Sequence, residues 1–128
     1  VSTQYKELPG LEVTVDDVIY MPSLDAPDDR PFPFVYFITI RNNSTTTVTV
    51  KARKWVVRAA NGETLVVEGD GVVGQFPRLG PGDEYSYNSC HTINSDSRAE
   101  GAYFVQDDAG NTWCVRIPAF EMDVPQWA

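Results

Sequence analysis

The sequence predicts an all-β protein, a fibronectin type III or immunoglobulin-like β-sandwich of seven to eight antiparallel strands. Three observations lead there. Period-two runs rich in Val, Thr, Tyr, Phe and Ile recur along the chain. Turn-forming residues separate them every 8 to 12 residues or so. No stretch carries the 3.6-residue apolar repeat of an amphipathic helix, so there is nothing to build the crossovers of a parallel sheet. An eight-stranded barrel is the alternative closure. The Cys-Trp-Cys arrangement of antibody domains is absent, which favours the fibronectin-like version.

The first strand is "LEVTVDDVIY", with Leu11, Val13 and Val15 on one side of the pleat. "PSLDAPDDRPFP" follows, where four prolines and Asp25, Asp28 and Asp29 forbid regular structure. Such a long loop in a small domain is functional or mobile. "FVYFITIRN" is the most strand-like run: Phe34, Tyr36, Ile38 and Ile40 share one face, and Val35, Phe37 and Thr39 the other. Both faces are apolar at one end, so this strand belongs at the centre of a sheet.

The turn "NNSTT" leads into "TVTVKARKWVVRAA", and Asn61-Gly62 then gives a hairpin signal of the type I′ kind. A two-residue loop there pairs Val57 with Val66, Trp55 with Glu68, Val56 with Val67 and Ala60 with Glu63. Apolar residues then stand on both sides of the ribbon, so a neighbouring loop or a second subunit must cover one of them. "RLGPGDE" is the next turn, before the strand "EYSYNSCHT", in which Tyr85 and Tyr87 share a face. "AEGAYFVQ" and "TWCVRIP" flank the turn "DDAGN" as a second hairpin, and "AFEMDVPQW" extends the last strand with Phe120, Met122 and Val124 on one side.

A chain of 128 residues has room for one domain, residues 1–128. Its 18 acidic and 10 basic residues leave a net charge of −8, which repels a phosphate backbone and excludes general nucleic-acid binding. No apolar run is long enough to insert in a membrane as a helix. The start "VSTQYKELPG" shows neither a basic nor an apolar leader segment. Two cysteines, Cys90 and Cys114, are too few for a disulfide scaffold. The Asn-x-Ser/Thr matches at Asn42 and Asn43 read as a polar turn. A reducing, cytoplasmic setting is expected.

"EGDGVVGQFP" contains Gly69-x-Gly71-x-x-Gly74, the spacing with which dinucleotide-binding enzymes cradle a pyrophosphate. That chemistry needs a helix whose N-terminal amides meet the phosphates. Pro77 and Pro81 prevent any helix from propagating here, and no Lys-Ser or Lys-Thr follows to make a P-loop. A backbone role remains: the glycines let the chain leave one strand, bend and enter another, crossing between sheets, while Val72, Val73 and Phe76 tuck into the core or over the Trp55 hairpin. The competing role is a shallow anion nest with Arg53 or Arg78 as counter-charge.

Catalytic chemistry is not evident. His91, the only histidine, stands beside Cys90, and neighbours on a strand point to opposite faces, so they cannot pair as nucleophile and base. His91 reads as a surface or hydrogen-bonded residue, and both cysteines as small core or half-exposed groups. No zinc spacing exists, and the acidic loop lacks the alternation and glycine of a calcium site. Neither an enzyme nor a bound cofactor is expected.

"GDGVVGQFPRLGPGDEYSYNS" resembles the central signature of the ApaG domain family, a Gly-x-Gly-Val-Val-Gly stretch followed by Pro, a Pro-Gly turn and a Tyr-containing strand. Upstream, Arg53-Lys54-Trp55 matches the family's Arg-x-Trp. Downstream, Glu100-Gly101-Ala102-Tyr103 is similar to Met-Glu-Gly-x-Tyr with Ala99 replacing Met, and Ile117-Pro118-Ala119-Phe120 to Ile-Pro-x-Phe. The resemblance runs from about Leu11 to Val124, with loop 21–33 unmatched. It implies a fibronectin type III-like sandwich and a bacterial protein linked to cobalt resistance and magnesium efflux, whence the alternative family name CorD. In eukaryotic relatives the domain is attached to an F-box protein and to a DNA-polymerase-δ-interacting protein, as a protein-interaction module. The resulting expectation is a non-enzymatic module for a protein partner, with a homodimer as one form. Its contact residues are Gly69, Gly71, Val72, Val73, Gly74, Arg53, Trp55 and Arg78. The alternative is a small anion (nucleotide or polyphosphate) or Co²⁺ or Mg²⁺ held at the same loop.

Overall fold

The computed structural model describes residues 5–128. Eight strands follow in chain order: β1 (Leu11–Tyr20), β2 (Phe32–Asn42), β3 (Val48–Ala59), β4 (Thr64–Asp70), β5 (Arg78–Leu79), β6 (Glu84–Ile93), β7 (Ser97–Asp107) and β8 (Thr112–Met122). They form two sheets, β1-β2-β6 and β4-β3-β7-β8, with β5 also paired to β3. Every strand ladder is antiparallel. The all-β sandwich expected from the sequence is the fold, and two separate sheets take the place of a closed barrel. Among the described residues no helix is long and apolar enough to cross a membrane.

β2 is the centre of its sheet, as its two apolar faces require. Phe34, Tyr36, Ile38 and Ile40 are buried, and on its other face Val35 and Thr39 are buried too. The opposite sheet supplies Trp55, Val57, Tyr103, Val105, Ile117 and Met122 to the same core. Withdrawing one such side chain from water stabilises by roughly 1.5–3 kcal/mol, so this inter-sheet layer is the main source of stability. Bulges keep the alternation aimed inward. In β1 the register shifts between Val15 and Asp17, and in β3 between Val50 and Ala52. The second shift puts both Val48–Val50 and Arg53–Val57 into phase with the core, at the cost of one residue, Lys51, without a partner on β7.

Two local expectations need correction. The β3–β4 loop has three residues rather than two: Ala59 N–H donates to Glu63 O at 2.8 Å, and Gly62 N–H to Ala59 O at 3.0 Å. Only Gly62 adopts positive φ, at 93°, while Asn61 stays at negative φ and its side chain accepts the Glu63 amide at 3.0 Å. This is a type I turn closed by a glycine bulge, so the true pairs are Trp55 with Val67, Val56 with Val66 and Val57 with Leu65. The outer face is also less bare than the apolar count suggests. Val56 is buried within the chain, between the ion pairs Lys54–Glu68 and Arg58–Glu100.

The polar turn after β2 is well built. Asn42 is fully buried, and its amide donates to Thr46 O at 2.8 Å and to Leu79 O at 2.9 Å. The β7–β8 hairpin forms as expected around Asp107, whose carboxylate accepts the Ala109 and Asn111 amides and the Trp113 indole N–H at 3.1 Å.

Candidate functional site

The glycine-rich stretch does not cross between sheets. Both of its ends pair with the same strand: Asp70 lies opposite Ala52, and Leu79 opposite Val48. Gly71 N–H donates to Lys51 O at 2.7 Å, and Val50 N–H to Pro77 O at 2.9 Å, so residues 71–77 form an excursion from one edge of β3. The passage to the other sheet comes later, at the Gly80–Asp83 turn between β5 and β6.

Within the excursion Val72 and Gln75 exchange both backbone hydrogen bonds, at 2.8 and 2.9 Å. Val73 and Gly74 between them have φ of 47° and 77°, the pattern of a type I′ turn. The turn expected at Asn61-Gly62 is therefore found here, with a β-branched valine in a conformation that costs such residues about 1–3 kcal/mol. Gly71 is required sterically, since a Cβ there would lie 2.2 Å from Gln75 O. Val72 drops into the core as expected, whereas Val73 and Phe76, expected in the core or over the Trp55 hairpin, are more than half exposed.

Arg53 faces inward from β3, opposite Gly69. The missing side chain gives it room, since a Cβ on Gly69 would sit 2.8 Å from the guanidinium carbon. Its Nη1 donates to Asp70 O at 2.9 Å and to Gly71 O at 3.2 Å, bracing the start of the excursion. Arg78 pairs instead with Asp108 at 2.7 Å. The amides of Gly71, Val72 and Gln75 all serve carbonyls of the chain itself. Of the eight residues singled out from the sequence, Val73 is exposed on the excursion, while Val72 and Trp55 are core.

A second region escaped the sequence reading. His91, expected at the surface or hydrogen-bonded, is 8 % exposed, and its Nε2 has no hydrogen-bond partner. It packs on Tyr36 at 4.6 Å and edge-on to Trp55 at 4.7 Å between ring centroids. Burial pulls the imidazole down to about 4, so it is neutral at pH 7. The register that placed Tyr85 and Tyr87 on one face extends through Ser89 to His91, which is the signal that would have found it. Trp55 Nε1 and Arg30 Nε are likewise buried without partners. Arg30 arrives on the Pro-rich loop before β2, and nothing in its sequence context announces an inward role.

All three residues line one cavity of about 220 Å³ between the edge strands β4 and β6, together with Tyr36, Arg53 and Ser89. Cys90 points away from His91 as the alternation requires, and burial raises its thiol pKa, as it does for Cys114. The two cysteines are free and lie in different sheets. Among the described residues no three His, Cys, Asp or Glu side chains gather as a metal-holding group.

A family model described as the ApaG domain matches residues 22–107, from the loop before β2 to the end of β7. The chain belongs to the ApaG family. Protein ApaG of Brucella anthropi is 39% identical over 118 residues, covering 91% of this chain and 90% of that protein. Protein ApaG of Vibrio cholerae is 37% identical over 119 residues, covering 92% and 94%. Among solved structures, a structural-genomics target, SoR45, superposes with a TM-score of 0.81 at 28% identity, over 93% of this chain and 90% of that one. The Bordetella pertussis protein named ApaA gives 0.77 at 27% identity, over 95% and 98%. The matched span includes the whole β3–β4 hairpin, the 71–77 excursion and the β4–β6 cavity, so both regions described above lie inside the ApaG domain.

Proposed function

We propose that this ApaG domain is a non-enzymatic recognition module that binds a protein partner along the edge formed by β4 and the 71–77 excursion. One observation supports the reading above others. Leu65, Val66, Val73 and Phe76 are large apolar side chains left in water on one short stretch of chain, with Val66, Val73 and Phe76 each more than half exposed. β4 is an edge strand, and an edge with apolar side chains suits pairing with an added strand. The strain held at Val73 fits a contact tip, because strain persists where function selects the geometry. A second copy of the chain is one partner that such an edge accommodates.

The family's link to cobalt resistance and magnesium efflux enters this reading as an indirect effect, exerted in a bacterial cytoplasm on a protein that handles the ions. The alternative, a nucleotide, polyphosphate or divalent cation at the excursion, has weaker support. The donors it would use there, Arg53, Arg78 and three loop amides, already serve groups of the chain. Affinity capture from a bacterial lysate, repeated with Val73→Asp and Phe76→Asp together, tests the proposal. Both residues are exposed, so the variant should keep its circular dichroism spectrum and lose the captured protein. Retention of the same protein by the folded variant would exclude this edge as the interface.

A further inference from the structure

Three side-chain nitrogens in the described residues are buried without a hydrogen-bond partner, and the three side chains that carry them line the same cavity. Each such group costs about 1–3 kcal/mol when left unmade. Native proteins carry few of them, and their coincidence at one place calls for a common cause. The cavity lies away from the apolar tip of the 71–77 excursion, which forms no part of its wall.

The chemistry of the missing partner follows from the donors. The Trp55 indole nitrogen can only donate, and so can the Arg30 guanidinium, which is always charged. Arg30 forms no ion pair among the described residues. Arg53 adds a second cation to the wall. What the site lacks is therefore an acceptor bearing negative charge, and charge-assisted bonds from arginine are the strong kind. Neutral His91 offers Nε2 as either donor or acceptor, and Ser89 adds a hydroxyl to the lining.

Size limits the ligand further. At about 220 Å³ the cavity falls below the roughly 300 Å³ at which pockets for drug-sized molecules begin. The adjoining groove shares Arg30, Val57 and Leu65 but is flanked by Asp29 and Glu63, which repel a long polyanion. We infer that the cavity between β4 and β6 binds a small free oxyanion, a carboxylate or phosphate compound, through Arg30, Trp55 and His91. The Pro-rich loop before β2 then has a purpose: it carries Arg30 across the open side of the sandwich.

The indole N–H resonances of ¹⁵N-labelled protein give the test. Trp113 donates to Asp107 and Trp127 is exposed, so both serve as internal controls for Trp55. Inorganic phosphate and sodium acetate are titrated separately at constant ionic strength, with sodium chloride as the blank. The expected result is a saturable shift of the Trp55 signal, half-complete at millimolar concentration or below, with one or both oxyanions. Phosphate alone would indicate a tetrahedral ligand, and acetate alone a planar one. Arg30→Gln, on a loop, should fold and weaken binding about tenfold or more. Val73→Asp should leave it unchanged, because the tip of the 71–77 excursion forms no part of the cavity wall. No saturable shift, an equal shift with chloride, or full affinity in Arg30→Gln would overturn the inference and leave a cavity filled by water alone.

Discussion

Two pairs of polar side chains border Tyr36, and they are treated in opposite ways. On one side the hydroxyls of Tyr87 and Tyr103 hydrogen-bond to each other in a layer where Tyr103 is wholly buried. On the other, Trp55 and His91 pack against Tyr36 at 4.9 and 4.6 Å, and the Trp55 Nε1 and His91 Nε2 have no partner. Trp55 is as deeply buried as Tyr103, at 1% and 0% exposed, so burial alone does not explain the difference. A fold that satisfies its own groups at one end of an aromatic layer can do so at the other. The pair of tyrosines is an internal fastening, and the Trp55–His91 end is built to be completed from outside.

The largest expected effect is on pH dependence at the uncompleted end. His91 has its pKa lowered to about 4 in the folded protein, against about 6.5 in the unfolded chain. Between these values the unfolded chain binds the extra proton, so stability is complete above pH 6.5 and falls as pH drops toward 4. The total is about 3 kcal/mol. Urea unfolding at pH 7 and at pH 4.5 should reveal most of it, and His91→Phe should flatten the dependence. The lowered carboxyl of Asp16, held down mainly by the Thr39 hydroxyl, makes its loss below about pH 4 and so does not confuse the window. An unchanged pH slope in His91→Phe would assign the dependence elsewhere.

The fastened end should respond less, and without regard to pH. Tyr103→Phe strips Tyr87 of its partner and should cost about 1–2 kcal/mol at every pH between 4 and 8. Burial raises both phenols well above the ordinary tyrosine range, so neither ionises in that interval. A midpoint equal to that of the parent protein would show that the hydroxyl pair adds nothing. The smallest change concerns the strained tip. Val73→Gly relieves a positive φ but adds freedom to the unfolded chain, so the net should be a stabilisation of up to about 1 kcal/mol. Destabilisation would mean that the Val73 side chain makes contacts that outweigh its strain.

The fold was legible because its strands alternate so plainly. β2 announces a central strand by its two apolar faces, and Asp107 with Gly110 announces the β7–β8 turn. The Asn61-Gly62 register slipped by one because a three-residue loop with a glycine bulge uses the same dipeptide as a two-residue type I′ turn. The place of the excursion is illegible for a different reason. Pairing of β4 and β5 with one strand depends on β3 being long enough to hold both, which local residues do not specify. Trp55 and Arg53 stand out as a motif but not as cavity walls, since the wall is assembled from β2, β3, β4, β6 and a loop far apart in sequence. Arg30 had no local signal at all, being one charge among the acidic and proline residues of its loop.

The anchoring of residues 71–77 at both ends by β3 has a practical meaning for the family. The hydrogen bonds that fix the exit and return of this segment belong to Lys51 and Val50, whose backbone does not change when the segment does. Insertions, deletions and new side chains at residues 73–76 should thus be cheap to the rest of the domain, provided Gly71 and the buried Val72 or an equivalent plug are kept. The segment has the attributes of a display loop on a rigid frame. If the proposed recognition role holds, a library confined to the exposed Val73, Gln75 and Phe76 changes what the domain binds while leaving its frame intact.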